Sequence, residues 1–172
     1  MTASERRKKI KEILISESQA VSASKLAARF SVSRQIIVGD IALLRTGGME
    51  IDATPRGYLI HRDNDGIVHQ VVCSHDGDEE LKDELNTMVD YGCNVLNVIV
   101  EHPIYGRLTG ELHIESRYDV QLFVEKVKKY DALPLSALTE GVHTHTLDCA
   151  SEEGYEMVKK ILKEKGYLIS AN

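Results

Sequence analysis

The sequence predicts an α+β protein in two parts. A small helical unit closed by a hairpin comes first, and a larger β-α-β-β-α-β-α unit follows. Three observations carry this. Apolar residues recur at helical spacing through the first 46 positions. Beyond position 66, apolar runs of strand length alternate with amphipathic helices. Charge divides at the same place. Residues 1–62 carry 11 Lys+Arg against 6 Asp+Glu, a balance of +5, while residues 63–172 carry 10 against 21, a balance of −11. A basic front and an acidic back suit a chain that touches phosphate with one end only.

The first helix spans 4–17, with Ile10, Ile13 and Leu14 facing inward. A second covers 24–30 and a third 34–46, ended by Gly47-Gly48. Leu26, Ala27 and Phe30 line one apolar face, and Val32, Ile37, Ile41 and Leu44 line another. Ser33 stands at an N-cap position, followed by Arg34 and Gln35 in an exposed first turn. Two short helices with this turn and a basic second start form a helix-turn-helix, which names duplex DNA as the partner. Segments 49–53 and 57–61 pair as a hairpin around Thr54-Pro55-Arg56, a wing with Arg56 at its tip. Ser33, Arg34 and Gln35 are placed to contact bases or phosphates, and Val38 a thymine methyl. Lys25 and Arg56 are placed to hold phosphates, a role that for Arg56 competes with that of a solvated turn residue. Two such units pairing as a homodimer double the contacts on a palindrome.

The polar connector HRDND, 61–65, separates a winged helix-turn-helix at 1–62 from a second domain at 66–172. Strands are expected at 67–74, 94–101, 106–115 and 142–149, helices at 78–91, 117–130 and 152–165, and a tail strand at 167–169. Leu81, Leu85, Met88 and Val89 mark the inner side of the first of these helices; Val120, Phe123, Val124 and Val127 mark that of the second. The order is the split βαβ pattern of a ferredoxin-like domain. In that topology the fourth strand lies beside the first, and the second strand lies at an edge.

The chain has 172 residues, 42% hydrophobic and 28% charged, as expected of a globular protein. No apolar run is long enough for a membrane span, and MTASERRKKIKEIL lacks the apolar middle of a signal peptide. A cytoplasmic location is expected. Cys73, Cys93 and Cys149 are far apart with no C-x-x-C spacing, which suggests buried, reduced thiols.

Seven histidines are present. His143 and His145, two apart in a strand, share one face, with Thr144 and Thr146 on the other. His75 ends the first strand beside the start of the fourth. The following helix brings Glu84 near, with Asp83 and Glu80 as rivals since helix phase is open by a residue. Three imidazoles and a carboxylate suit one divalent transition metal, Zn, Ni, Fe or Mn. His102, before Pro103, is left for an effector pocket or a subunit contact. His69 and His113 read as structural, and His61 belongs to the wing.

VSRQIIVGDIALLR and ATPRGYLI resemble the N-terminal winged helix of NiaR-type repressors of NAD biosynthesis. SHDG, DELNTMVDYG, EHPIYGRLTG and LTEGVHTHTL resemble the 3H domain of that family. The resemblance implies repression of genes for NAD synthesis or niacin uptake, with nicotinic acid as co-repressor. It implies metal ligation by His75, Glu84, His143 and His145. Gly39 departs from the family, which carries a longer polar residue there. The rival readings are a metal-responsive regulator, in which the ion itself is the signal, and a metal-dependent hydrolase with Glu84 or Glu80 as base. A purely structural metal is a third.

Overall fold

The computed structural model describes residues 1–61 and 66–171, the side chains of 170 and 171 apart. The chain divides into two compact units, Met1–Asp63 and Asn64–Asn172. Positions 62–65 of the expected connector fall outside the described residues.

The first unit opens with α1 (Ala3–Ser16), started by a capping box in which Thr2 and Glu5 exchange side-chain and backbone hydrogen bonds. Then come α2 (Ala23–Phe30) and α3 (Arg34–Thr46), capped by Ser22 and Ser33. Between them Ser31 adopts left-handed backbone at φ 53° and turns the chain. Ile10, Leu14, Leu26, Ile37 and Ile41 form a single core. The hairpin β1 (Ile51–Thr54) and β2 (Gly57–Ile60) pairs antiparallel, and Val21 bridges to Tyr58 as a third rung. This is the expected winged helix-turn-helix arrangement.

The second unit runs β3 (Ile67–Ser74), α4 (Asp78–Asp90), β4 (Cys93–His102), β5 (Gly106–Ile114), α5 (Arg117–Lys129), β6 (Val142–Cys149), α6 (Glu152–Glu164) and β7 (Leu168–Ala171). A 3-10 turn at Leu135–Thr139 precedes β6. The five strands lie in the order β5-β4-β6-β3-β7, every pair antiparallel. One face of the sheet, through Val71, Cys73, Val95 and Leu147, packs on Leu85 and Met88 of α4, Val120 of α5, and Val158 and Leu162 of α6.

Two expectations need correction here. The fourth strand of the unit, β6, lies beside the first as expected, but it also lies beside the second. β4 is therefore central, the edges are β5 and β7, and the strand order is not the ferredoxin-like one expected from the sequence. The reason lies in the residues of β4: CNVLNVIV is buried or half-buried throughout, as suits a strand paired on both sides. The cysteines also differ. Antiparallel register sets Cys93 opposite Cys149 with Cα atoms 4.0 Å apart, and the two form a disulfide. Only Cys73 remains a buried thiol. Burial pushes that thiol up, and the neighbouring Glu84 carboxylate pushes it further, so it stays protonated.

Candidate nucleic-acid interface and metal centre

In the first unit, the sequence of α3 decides what the unit presents. Ile37, Asp40 and Ile41 turn inward. Arg34, Gln35 and Gly39 lie on the exposed side, and a side chain at Gly39 would meet open space. The Ser33 hydroxyl accepts the Ile36 N–H at 3.3 Å, so its first duty is to cap. Val38 is half-buried, whereas Ile36 is exposed, an outward apolar residue that the sequence reading passed over. Lys25 is exposed on α2. Arg56 sits at the wing tip, where Thr54 Oγ1 accepts the N–H groups of Arg56 and Gly57.

Asp40 was also missed. It is buried on the inner side of α3 and accepts from Arg6 Nε at 2.6 Å and Nη2 at 3.3 Å, with Arg7 at 3.5 Å. This pairing ties the helix that would enter the groove to α1 by a forked, oriented contact. Its trace in the sequence is an acid placed between apolar-face residues Ile37, Ile41 and Leu44.

In the second unit, β6 alternates so that His143, His145, Leu147 and Cys149 are buried on the helix-covered face. Cys73 of β3 pairs with His143, which places His75 just beyond the strand end next to it. From above, α4 presents Leu81, Glu84, Leu85 and Met88, so Glu84 occupies a core position. It has no exposed surface.

The three imidazoles converge on this carboxylate. His75 Nε2 lies 2.5 Å from Glu84 Oε2, and His143 Nε2 lies 3.0 and 3.1 Å from its two oxygens. His145 Nε2 is 3.4 Å away, buried and without a hydrogen-bond partner. The rings meet edge to face, with centroids 4.8 Å apart for both His75–His143 and His143–His145. The rivals point elsewhere. Asp83 binds Lys165 and the Tyr167 hydroxyl, while the Glu80 carboxylate folds back over Gly77.

The outer ring atoms decide what the inner ones offer. His143 Nδ1 donates to the Gly141 carbonyl and His145 Nδ1 to the Asn97 carbonyl, each at 2.8 Å. Neutral rings so held present Nε2 lone pairs inward. Lone pairs facing a carboxylate at 3 Å repel it unless positive charge sits among them, as ring protons or as a cation. Burial alone would raise Glu84. The His145 charge, and the hydrogen bonds from His143 and His75, instead hold it well below the carboxylate range. For His143, burial acts downward, yet the hydrogen bond and charge of Glu84 prevail and raise it. Backbone carbonyls on the outer nitrogens, three inward Nε2 atoms, one carboxylate and an orphaned buried nitrogen fit a divalent transition metal.

Gly141 is required where it stands. Its φ of +93° is left-handed, and a Cβ would collide with the His75 carbonyl oxygen. A water-sized cavity of about 20 Å³ adjoins His143 and His145, walled by Leu81, Val98, Phe123 and Leu135. His102 does not line it. It lies at the β4–β5 hairpin, where its Nδ1 accepts the N–H groups of Ile104 and Tyr105. His69 stacks on Tyr155 with centroids 3.8 Å apart, and its Nε2 contacts Glu152, away from the cluster.

The 3H-domain family model matches residues 68–171, and that of an HTH domain matches residues 6–59. The probable transcription repressor NiaR of Thermotoga maritima is 42% identical over 165 residues, covering 96% of this chain and 94% of its own length. The transcription repressor NadR of Bacillus subtilis is 39% identical over 150 residues, covering 84% and 82%. The chain belongs to the NiaR/NadR family of transcription repressors. As a member of that family it is a DNA-binding repressor and not an enzyme, which sets aside the hydrolase reading. Among the described residues no helix is long and apolar enough to cross a membrane.

Proposed function

We propose that this chain represses genes of NAD biosynthesis or niacin uptake, with nicotinic acid as co-repressor, in the cytoplasm. It binds its operator as a homodimer, and each 3H unit holds one divalent transition metal at His75, Glu84, His143 and His145. The observation that carries the metal is the buried Nε2 of His145, without a hydrogen-bond partner and 3.4 Å from a carboxylate already faced by two other imidazole nitrogens. These four residues would hold the ion, which would supply a Lewis-acid centre able to take a carboxylate or a pyridine nitrogen.

The cavity beside His143 and His145 supports the effector site. Phe123 and Leu135 form apolar walls suited to a planar ring, while the imidazoles supply the polar end. A space of about 20 Å³ holds a water but not a ring. Entry of nicotinate therefore displaces a wall, and the 3-10 turn at Leu135–Thr139 is the wall outside the sheet and long helices. A ligand that binds only the displaced arrangement shifts the population toward it. In the first unit, Ser33, Arg34 and Gln35 contact bases or phosphates, Val38 meets a thymine methyl, and Lys25 and Arg56 hold phosphates.

Calorimetry of nicotinate with wild type and with His143→Ala/His145→Ala tests the reading. Binding lost in the variant supports it. Unchanged binding removes the metal centre from effector recognition. Operator affinity that follows metal concentration with no nicotinate present points instead to a metal-responsive regulator.

A further inference from the structure

We propose that Tyr167, acting with Asp83, is a positioning residue for the metal centre, holding His75 and Glu84 at ligating distance from each other. The inference rests on the metal reading above, and it concerns residues outside the four ligands.

Local sequence delivers Tyr167 to its place. At the end of α6, Gly166 N–H donates to the Lys163 carbonyl at 3.1 Å and Tyr167 N–H to the Leu162 carbonyl at 2.9 Å. Those are the two bonds of a Schellman ending, and Gly166 at φ +79° supplies the left-handed residue it needs. The chain turns back at once, and the Tyr167 carbonyl accepts the Ser74 N–H at 2.8 Å. Ser74 directly precedes His75, so the Tyr167 main chain pins the strand end from which that ligand projects.

The Tyr167 side chain touches both ligand supports. Its ring meets the His75 ring edge-on, with centroids 5.4 Å apart and planes at 66°. The hydroxyl donates to Asp83 Oδ2 at 3.0 Å. Asp83 adjoins Glu84 on α4, and its other oxygen takes Lys165 Nζ at 2.8 Å, which also reaches Thr87 Oγ1 at 3.0 Å. His75 comes from a strand end and Glu84 from a helix, and no covalent neighbour relates them. The side chain of His75 is only 4% exposed although it lies at the sheet margin. Residues that orient metal ligands from behind typically set affinity by about 10–100-fold.

The test uses the full chain with Co²⁺ as probe, competed against a chromophoric chelator while ligand-field absorption is recorded. Tyr167→Phe removes only the hydroxyl, Tyr167→Leu removes the ring, and Lys159→Met on the same α6 is the control. We expect Tyr167→Phe to weaken Co²⁺ by about 10-fold and Tyr167→Leu by up to about 100-fold. Both should shift the visible bands, while Lys159→Met, at a residue that pairs with Glu156 and does not touch Asp83 or Tyr167, keeps the wild-type spectrum. If Tyr167→Leu does not fold, Tyr167→Phe decides. Variants that melt earlier yet bind Co²⁺ with wild-type affinity and spectrum overturn the proposal, because Tyr167 then merely packs. Wild type that takes up no Co²⁺ overturns the metal reading itself, and that result is seen before any variant is made.

Discussion

Replacing Glu84 by Gln keeps the shape of the side chain and removes its charge. In wild type the fully buried carboxylate faces three Nε2 atoms at 2.5–3.4 Å. Without metal, His143 is raised above 6.5 by Glu84 in spite of burial, so its contribution is complete below 6.5 and lost as pH rises through the folded value. Glu84, held below 4.5 against its burial, contributes above 4.5 and loses that contribution as pH falls through its folded value. Chelated wild type is therefore favoured by this cluster between those two limits, and the advantage fades toward alkaline pH. In Glu84→Gln no anion remains to support a buried imidazolium. Removing one partner of a buried ion pair costs about 3–5 kcal/mol, expected near pH 5.5. At alkaline pH, above the folded value of His143, its ring is neutral and the amide donates to its lone pair. The loss there falls to that of one hydrogen bond, about 1 kcal/mol. Urea unfolding with chelator present, at both pH values, measures the difference. A destabilisation about 2–4 kcal/mol larger at the acid pH is expected. Equal losses, or a larger loss at alkaline pH, refute the reasoning.

Gly141→Ala forces a Cβ against the His75 carbonyl at φ +93°. It should lower stability by well over about 1 kcal/mol and abolish metal uptake, checked by melting and by metal content. The Cys93–Cys149 link closes a 56-residue separation. On the chain-entropy account, its reduction or Cys93→Ser should cost about 4 kcal/mol in denaturant unfolding, and non-reducing alkylation of unfolded protein should label Cys73 alone. Lys25→Ala should weaken binding to unrelated and operator duplexes alike, and should flatten the log–log salt slope by about 1 if it holds a phosphate.

Much of the site was legible because it depends on periodicity. Two histidines spaced by two on one strand must share a face, and strand adjacency brought His75 to them. Glu84 against Asp83 turned on helix phase. Leu81, Leu85 and Met88 place 84 on the buried stripe, which a one-residue uncertainty in phase obscured. What stayed hidden is non-local and made of backbone or pairing. The carbonyls of Gly141 and Asn97 that set the ring tautomers have no side-chain signature. Insertion of β6 between β3 and β4 follows from pairing choices, though the apolar length of β4 was a sign of it. The disulfide depends on that insertion, because only then do Cys93 and Cys149 face each other. Asp40, an acid on an apolar stripe, could have been found by asking which cation met it, and Arg6 lay in the first helix.

The most direct measurement is an operator titration at fixed salt, with and without nicotinate, in metal-loaded wild type and in His143→Ala/His145→Ala. Wild type should bind the operator more tightly when nicotinate is added, and the variant, still folded and still able to bind DNA, should show no change. A variant that responds to nicotinate as wild type does would contradict a metal-centred sensor in the second unit.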